Sequence, residues 1–153
     1  MKKLMTLLIS CLLITSAFGQ TATIGTGCCG YGQMIAIPVY ATGWEDVEAI
    51  TMSIQFDESQ LDFLYCDFHP DFKSNMIYNN DNGVVRFAWY TLTPETLDNG
   101  KFCTMFFIQW GASPLTFVPI NEFVKTPYII MNMTYVNGGV TLPPSMMRRE
   151  QAW

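Results

Sequence analysis

One histidine, thirteen carboxylates and the four cysteines beyond the first nineteen residues are the groups with which this chain could do chemistry. The histidine closes the run Cys66-Asp67-Phe68-His69, a C-x-x-H spacing of the kind that holds zinc. On a strand, however, residues i and i+3 face opposite ways, so a metal would need a bend there and further ligands from Cys28 or Cys29. His69-Pro70 reads more simply as a turn, and no metal or other cofactor is expected. The acids Glu45, Asp46, Glu48, Asp57, Glu58, Asp62, Asp67, Asp71, Asp81, Glu95 and Asp98 fall mostly at predicted turns. Glycoside hydrolysis needs two of them at a set separation across a cleft, and no spacing singles out a pair. No catalytic residue is assigned, and an enzyme is not expected.

Three further signals have simple explanations. Asn79-Asn80-Asp81-Asn82-Gly83 has the look of a calcium loop but lacks the distal glutamate and the ligand register. Asn-Gly tolerates the positive φ of a tight turn, so a hairpin accounts for it better. Asn132-Met133-Thr134 is a glycosylation sequon in form. Trp44 at a predicted loop and Trp110 at a strand end could each stack on a sugar ring, or could equally cap the core.

The elements that must position these residues are strands. Ile50-Thr-Met-Ser-Ile-Gln-Phe-Asp57 alternates apolar and polar without a break, and Gly83-Val-Val-Arg-Phe-Ala-Trp-Tyr90 does the same. Period two gives each strand a dry and a wet face, as in an antiparallel sheet packed on one side. Strands are predicted near Ala22–Gly27, Met34–Ala41, Glu48–Phe56, Leu61–Phe68, Asn75–Asn79, Gly83–Thr91, Lys101–Trp110, Leu115–Val118, Tyr128–Asn132 and Met133–Leu142. This is the pattern of an all-β sandwich. Thr93 to Gly100 reads as a loop with one helical turn, and Pro38 marks an edge or a bulge. The dry face is expected to collect Ile35, Ile37, Val39, Ile50, Met52, Ile54, Phe56, Val85, Phe87, Trp89, Phe102, Phe106 and Ile108. The wet face, Thr51, Ser53 and Gln55 beside Arg86, Ala88 and Tyr90, is then a shallow polar surface open to a partner. Arginine and tyrosine are enriched where proteins touch partners. An ordinary solvated sheet face would carry the same residues.

The ends and the composition narrow the setting. Lys2 and Lys3, an apolar Leu4 to Ile14 and the small-x-small Ala17-Phe18-Gly19 make residues 1–19 a signal peptide cleaved before Gln20. A rival pattern, Leu8-Ile9-Ser10-Cys11, fits lipoprotein processing but would strand Leu12-Leu13-Ile14 in the mature chain. The expected destination is secretion or the cell surface, with no transmembrane segment. Without Lys2 and Lys3, six basic side chains face thirteen acidic ones, a net charge of −7. Such a surface disfavours nucleic acid and anionic membranes. Residues 20–142 are expected to form one domain, followed by an irregular tail, 143–153. The four remaining cysteines allow three pairings. The neighbours Cys28 and Cys29 are the least suited to bridge each other. Either the first loop is tied to the strands carrying Cys66 and Cys103, or one bridge leaves two buried thiols.

Several of these segments together resemble a known family. Ile37-Pro38-Val39, then Ala49 to Asp57 followed by Leu61, then Gly83 to Tyr90, and a closing Tyr135-Val136-Asn137-Gly138-Gly139-Val140 are similar to a cohesin domain. The nearest variety is the cohesin-like domain of secreted Bacteroidetes proteins, and the likeness spans Ala22 to Leu142. It implies a nine-stranded antiparallel β-sandwich of jelly-roll topology, related to certain carbohydrate-binding modules. It also implies a non-catalytic recognition module that takes a dockerin-like protein on a flat sheet face, within polysaccharide-degrading machinery. On this chain that face would hold Thr51, Ser53, Gln55, Arg86, Ala88 and Tyr90. Direct binding of a glycan through Trp44, Tyr90 or Trp110 is one alternative, and a structural or adhesive surface domain is the other.

Overall fold

Two long strands organise the molecule. The computed structural model describes residues 19–145. In chain order the elements are β1 (Gln20–Ile24), β2 (Thr26–Cys28), β3 (Gln33–Gln55), β4 (Leu61–Phe68), α1 (Pro70–Lys73), β5 (Ile77–Asp81) and β6 (Val84–Gln109). There follow β7 (Ser113–Phe117), β8 (Glu122–Lys125), β9 (Ile129–Ile130), β10 (Met133–Val136) and β11 (Gly138–Thr141). β3 and β6 pair antiparallel from Gln33–Gln109 to Gln55–Val84, and the register slips between Val39 and Tyr40, between Trp44 and Val47 and between Val47 and Ala49. Such bulges bend a strand and increase its twist, which lets each strand serve two layers. Residues 33–42 of β3 and 99–109 of β6 belong to a layer ordered β10–β1–β3–β6–β4. The remaining halves form a second layer, β9–β8–β3–β6–β5. A short flank of β7, β11 and β2 joins the end of β3 at Ile54–Phe117.

The core lies between the layers. Ile35, Ile37 and Val39 from one layer and Ile50, Met52, Ile54, Val85, Phe87 and Trp89 from the other are all buried, as the alternation predicts. Each such side chain contributes about 1.5–3 kcal/mol on burial. Phe106 and Ile108 correct the expectation. Val39 pairs with Cys103 but Tyr40 with Lys101, so Phe102 is an extra residue in the ladder. The parity of β6 flips after it: Met105, Phe107 and Gln109 turn inward, while Phe106 and Ile108 lie half-buried on the outside.

The expected ten segments, and the nine strands of the family architecture, become eleven for local reasons. Met34–Ala41 and Glu48–Phe56 fuse into β3, and Gly83–Thr91 and Lys101–Trp110 into β6. The expected loop at 93–100 is the bend of β6, still paired through Trp44–Leu97 and Val47–Glu95. The first and last predicted strands instead divide, at Gly25 and at Asn137, where each steps from a partner in the first layer to one in the flank. The two run parallel and touch at the step, where a Cβ on Gly138 would collide with the carbonyls of Ile24 and Gly25. Only glycine fits there. Pro38 sits at the same step. Its carbonyl accepts the Gly25 N–H at 2.7 Å, so its nitrogen faces the side on which the β1 ladder ends and no donor is missed. Asn82 and Gly83, at φ 50° and 72°, make the expected two-residue turn between β5 and β6.

Candidate functional site

The outer face of β9–β8–β3–β6–β5 brings all six wet-face residues together. Thr51 stands opposite Ala88, Ser53 opposite Arg86, Gln55 opposite Val84, and Tyr90 opposite Ala49. Residues directly opposed across an antiparallel pair lie about 5 Å apart at Cβ, so these side chains form one continuous surface. Arg86 approaches Asp81 at 3.5 Å across the β5–β6 hairpin, an exposed pair that orders the guanidinium but contributes little to stability. Asn121 ties the other margin: its Oδ1 accepts the Ser53 N–H at 2.7 Å while its Nδ2 donates to the Val118 carbonyl at 2.7 Å.

The face is less polar than the sequence suggested. Tyr90 is 62% exposed, Leu92 97% and Tyr128 88%, and Ile77 and Ile130 are exposed as well. Tyr90, Leu92, Val124 and Tyr128 border a groove with Glu48 and Ala49 at the β8 end. Leu92 was legible in principle, since it continues the outward parity of Tyr90 once β6 runs on past Thr91. β8 was not, because Glu-Phe-Val-Lys carries too short a pattern to register as a strand.

The two tryptophans part company. Trp44 is 0% exposed, packed against Phe102 and Phe123 with centroids at 5.1 and 4.7 Å, and its Nε1 donates to the Thr21 carbonyl at 2.9 Å. The bend of β3 turns this ring into the core, so it is closed to a sugar. Trp110 is 38% exposed on the first layer's outer side, its Nε1 donating to Asp62 Oδ2 at 2.6 Å and its ring meeting Tyr31 edge-on at 4.9 Å. It is remote in topology from Tyr90, which belongs to the opposite layer.

The remaining chemical groups disperse. His69 caps α1, its Nδ1 accepting the Asp71 N–H at 3.4 Å, while Phe72 of that turn fills the core. Cys66 and Cys103 are buried side by side, Cys28 ends β2 and Cys29 opens the loop after it; all four are free thiols, so no bridge ties that segment to β4 or β6. Burial, aided by the adjoining Cys66 side chain, pushes the Cys103 thiol well above its ordinary range. Asp57 accepts both the N–H and the hydroxyl of Ser59, at 2.9 and 2.7 Å, which holds its carboxyl below the usual value. Among the described residues, no three histidine, cysteine, aspartate or glutamate side chains converge on a metal position. Asn132 of the sequon is exposed between β9 and β10. The expected signal peptide through residue 18 and the expected tail from residue 146 lie outside the described residues.

Two layers sharing a pair of bent strands, with parallel first and last strands, match known structures. The sixth cohesin of the Acetivibrio cellulolyticus scaffoldin B, solved in complex with a Cel5 dockerin, superposes with a TM-score of 0.72 at 17% identity, over 82% of this chain and 99% of that one. This chain has a cohesin fold. A non-cellulosomal cohesin of the archaeon Archaeoglobus fulgidus gives 0.71 at 13% identity, over 88% and 98%. A type I cohesin–dockerin complex of Clostridium thermocellum gives 0.74 at 16%, over 82% and 99%. No family model matches the sequence, and no curated protein does. Among the described residues, no helix is long and apolar enough to cross a membrane.

Proposed function

We propose that this cohesin-like domain is a non-catalytic module that holds a dockerin-like protein against the outer face of β9–β8–β3–β6–β5. The observation that carries the reading is the bare apolar group on that face, Ile77, Tyr90, Leu92, Tyr128 and Ile130, set beside the polar row Ser53, Arg86 and Gln55. Exposed apolar area rimmed by polar residues is the usual composition of a docking surface. The solved cohesins of Acetivibrio cellulolyticus and Clostridium thermocellum with the same fold are complexes with dockerins. The leader-like residues 1–19 support action outside the cytoplasm, and a role in assembling polysaccharide-degrading enzymes belongs to the same proposal.

Ala88 lies mid-face, opposite Thr51 on one side and Ile77 on the other. Ala88→Arg should weaken capture of a dockerin-bearing protein from the culture medium at least thirtyfold, about 2 kcal/mol, read by surface plasmon resonance. Ala36→Arg, on the exposed side of the other layer, should leave it unchanged. Equal capture by both variants, or loss with Ala36→Arg alone, would place the partner elsewhere.

The rigid aromatic corner of Trp110, Tyr31 and Asp62 supports a second reading, direct glycan binding on the first layer. A glycan array signal that disappears in Trp110→Ala and persists in Ala88→Arg would select it.

A further inference from the structure

Resting on the docking face just described, we propose that the groove at its β8 end receives a cationic side chain, lysine or arginine, from the bound protein. Glu48 is the reason. Val47 pairs with Lys125 and Ala49 with Val124, so Glu48 is an extra residue against β8, while on β6 the four residues Thr91 to Pro94 loop out between the partners of Val47 and Ala49, Glu95 and Tyr90. A bulge re-aims a side chain, and here Glu48 and Ala49 both line the groove. Thr126 Oγ1 donates to Glu48 Oε1 at 2.8 Å and fixes the carboxylate. Oε2 has no partner among the described residues. Among the described residues it is the one buried side-chain oxygen or nitrogen without a hydrogen bond.

An unpaired buried carboxylate oxygen is costly, and a donor delivered from outside removes the cost. Among the described residues no cation supplies one: the ion pairs are His69–Asp71 and Arg86–Asp81. The groove, of ≈ 280 Å³, suits a long aliphatic stem with a charged head. Leu92, Val124 and Ala49 offer apolar surface for the stem. Tyr90 and Tyr128 add ring faces that attract a cation. Charge complementarity favours a cation over a neutral donor. Glu122 stands on the same side of β8 as Val124, and the chain from Gln20 onward carries a net charge of −7.

The test is an amide chemical-shift titration of the chain with Nα-acetyl-lysine methylamide and Nα-acetyl-arginine methylamide. The isosteric norleucine derivative is the neutral control. Saturable shifts at millimolar ligand are expected for Ala49, Tyr90 to Leu92, Val124 and Tyr128, with none from norleucine. Glu48→Gln should weaken the cation about tenfold or more. Equal shifts with norleucine, no shifts in the groove, or unchanged affinity in Glu48→Gln would overturn the proposal. The norleucine comparison uses the unaltered chain, so it decides even if the variant folds poorly. If Ala88→Arg abolishes protein capture while Glu48→Gln leaves both capture and lysine binding untouched, the docking face stands and the cation site falls.

Discussion

Replacing Trp44 and Trp110 in turn separates a core tryptophan from a surface one. Trp44 fills the bend of β3 among Phe72, Phe102 and Phe123, fully buried, and its indole N–H holds the Thr21 carbonyl of β1. Trp44→Ala removes that packing and leaves a cavity, a loss of about 3–5 kcal/mol. The orphaned carbonyl adds about 1 kcal/mol more unless water reaches it. For a domain of this size each kcal/mol lowers the melting temperature by about 3–5 °C, so the midpoint should fall by about 15 °C. Trp44→Phe keeps most of the ring contacts and loses the hydrogen bond, so about 1–2 kcal/mol and about 5 °C are expected. Trp110→Ala gives up one exposed hydrogen bond and the edge contact with Tyr31, about 1 kcal/mol. Circular dichroism melts of the three variants supply the readout. Equal shifts for the two alanine variants, or a change below about 1 kcal/mol for Trp44→Ala, would refute the burial argument. A native melting curve for Trp44→Ala with a lost glycan signal would return that ring to the surface.

Three other outcomes follow from the geometry. Gln109 is fully buried; its Oε1 accepts the Cys29 N–H at 2.7 Å and its Nε2 donates to the carbonyls of Thr141 and Gly111 at 2.9 and 3.3 Å. Gln109→Leu should therefore cost about 3 kcal/mol in urea unfolding and speed amide exchange at Cys29, with normal exchange there counting against the account. Asn121→Ala should cost about 1–2 kcal/mol by the same assay and loosen the Ser53 amide, because no backbone group replaces its Oδ1. The exposed Cys28 should react with a thiol reagent at pH 8, whereas Cys103, whose raised pKa keeps it a neutral thiol, should react only after denaturation. Rapid modification of Cys103 in the folded chain would contradict its place between the layers.

The sandwich was legible wherever one face is dry and the other wet. Ile50 to Phe56 and Val85 to Trp89 alternate cleanly, and a one-residue slip would have put every apolar side chain in water, so their orientation is strongly specified. Legibility failed where the ladder gains a residue. The insertion at Phe102 moved Phe106 and Ile108 outward, and the one at Glu48 turned a nominal surface acid into the wall of a groove. Neither bulge has a composition signal, because the extra residue is ordinary and only the partner strand reveals it. Trp44 was ambiguous for a related reason: Gly43 and the acids after it read as a loop, while the pairing of Trp44 with Leu97 depends on a segment 50 residues away. The candidate face fared better, since all six of its residues were placed by parity alone. Of its apolar members Tyr90 was read from parity, Leu92 lies just past the expected end of a strand, and Ile77, Tyr128 and Ile130 belong to short segments whose place beside this face only the pairing of β5 with β6 and of β9 with β8 reveals.

The contrast between the two outer faces supports the proposed docking of a partner on the second layer. The first layer carries aromatic residues too, and four of them are matched in pairs: Tyr65 stacks on Phe106 at 4.5 Å, and Tyr31 meets Trp110 at 4.9 Å, while Tyr40 stands apart. A partner arriving there covers the remaining edges of those pairs together with Tyr40, Met34 and Leu64. On the second layer neither Tyr90 nor Tyr128 has an aromatic neighbour among the described residues, and Leu92 is almost wholly in water. Covering those side chains removes apolar area that nothing among the described residues hides, which favours binding there. Their backbone is also well anchored. β3 and β6 continue from this face directly into the opposite layer, so Ala49, Tyr90 and the row from Thr51 to Gln55 are held by the pairing that builds the core. A surface preset in this way loses little conformational freedom on association, which raises the share of contact energy that appears as affinity.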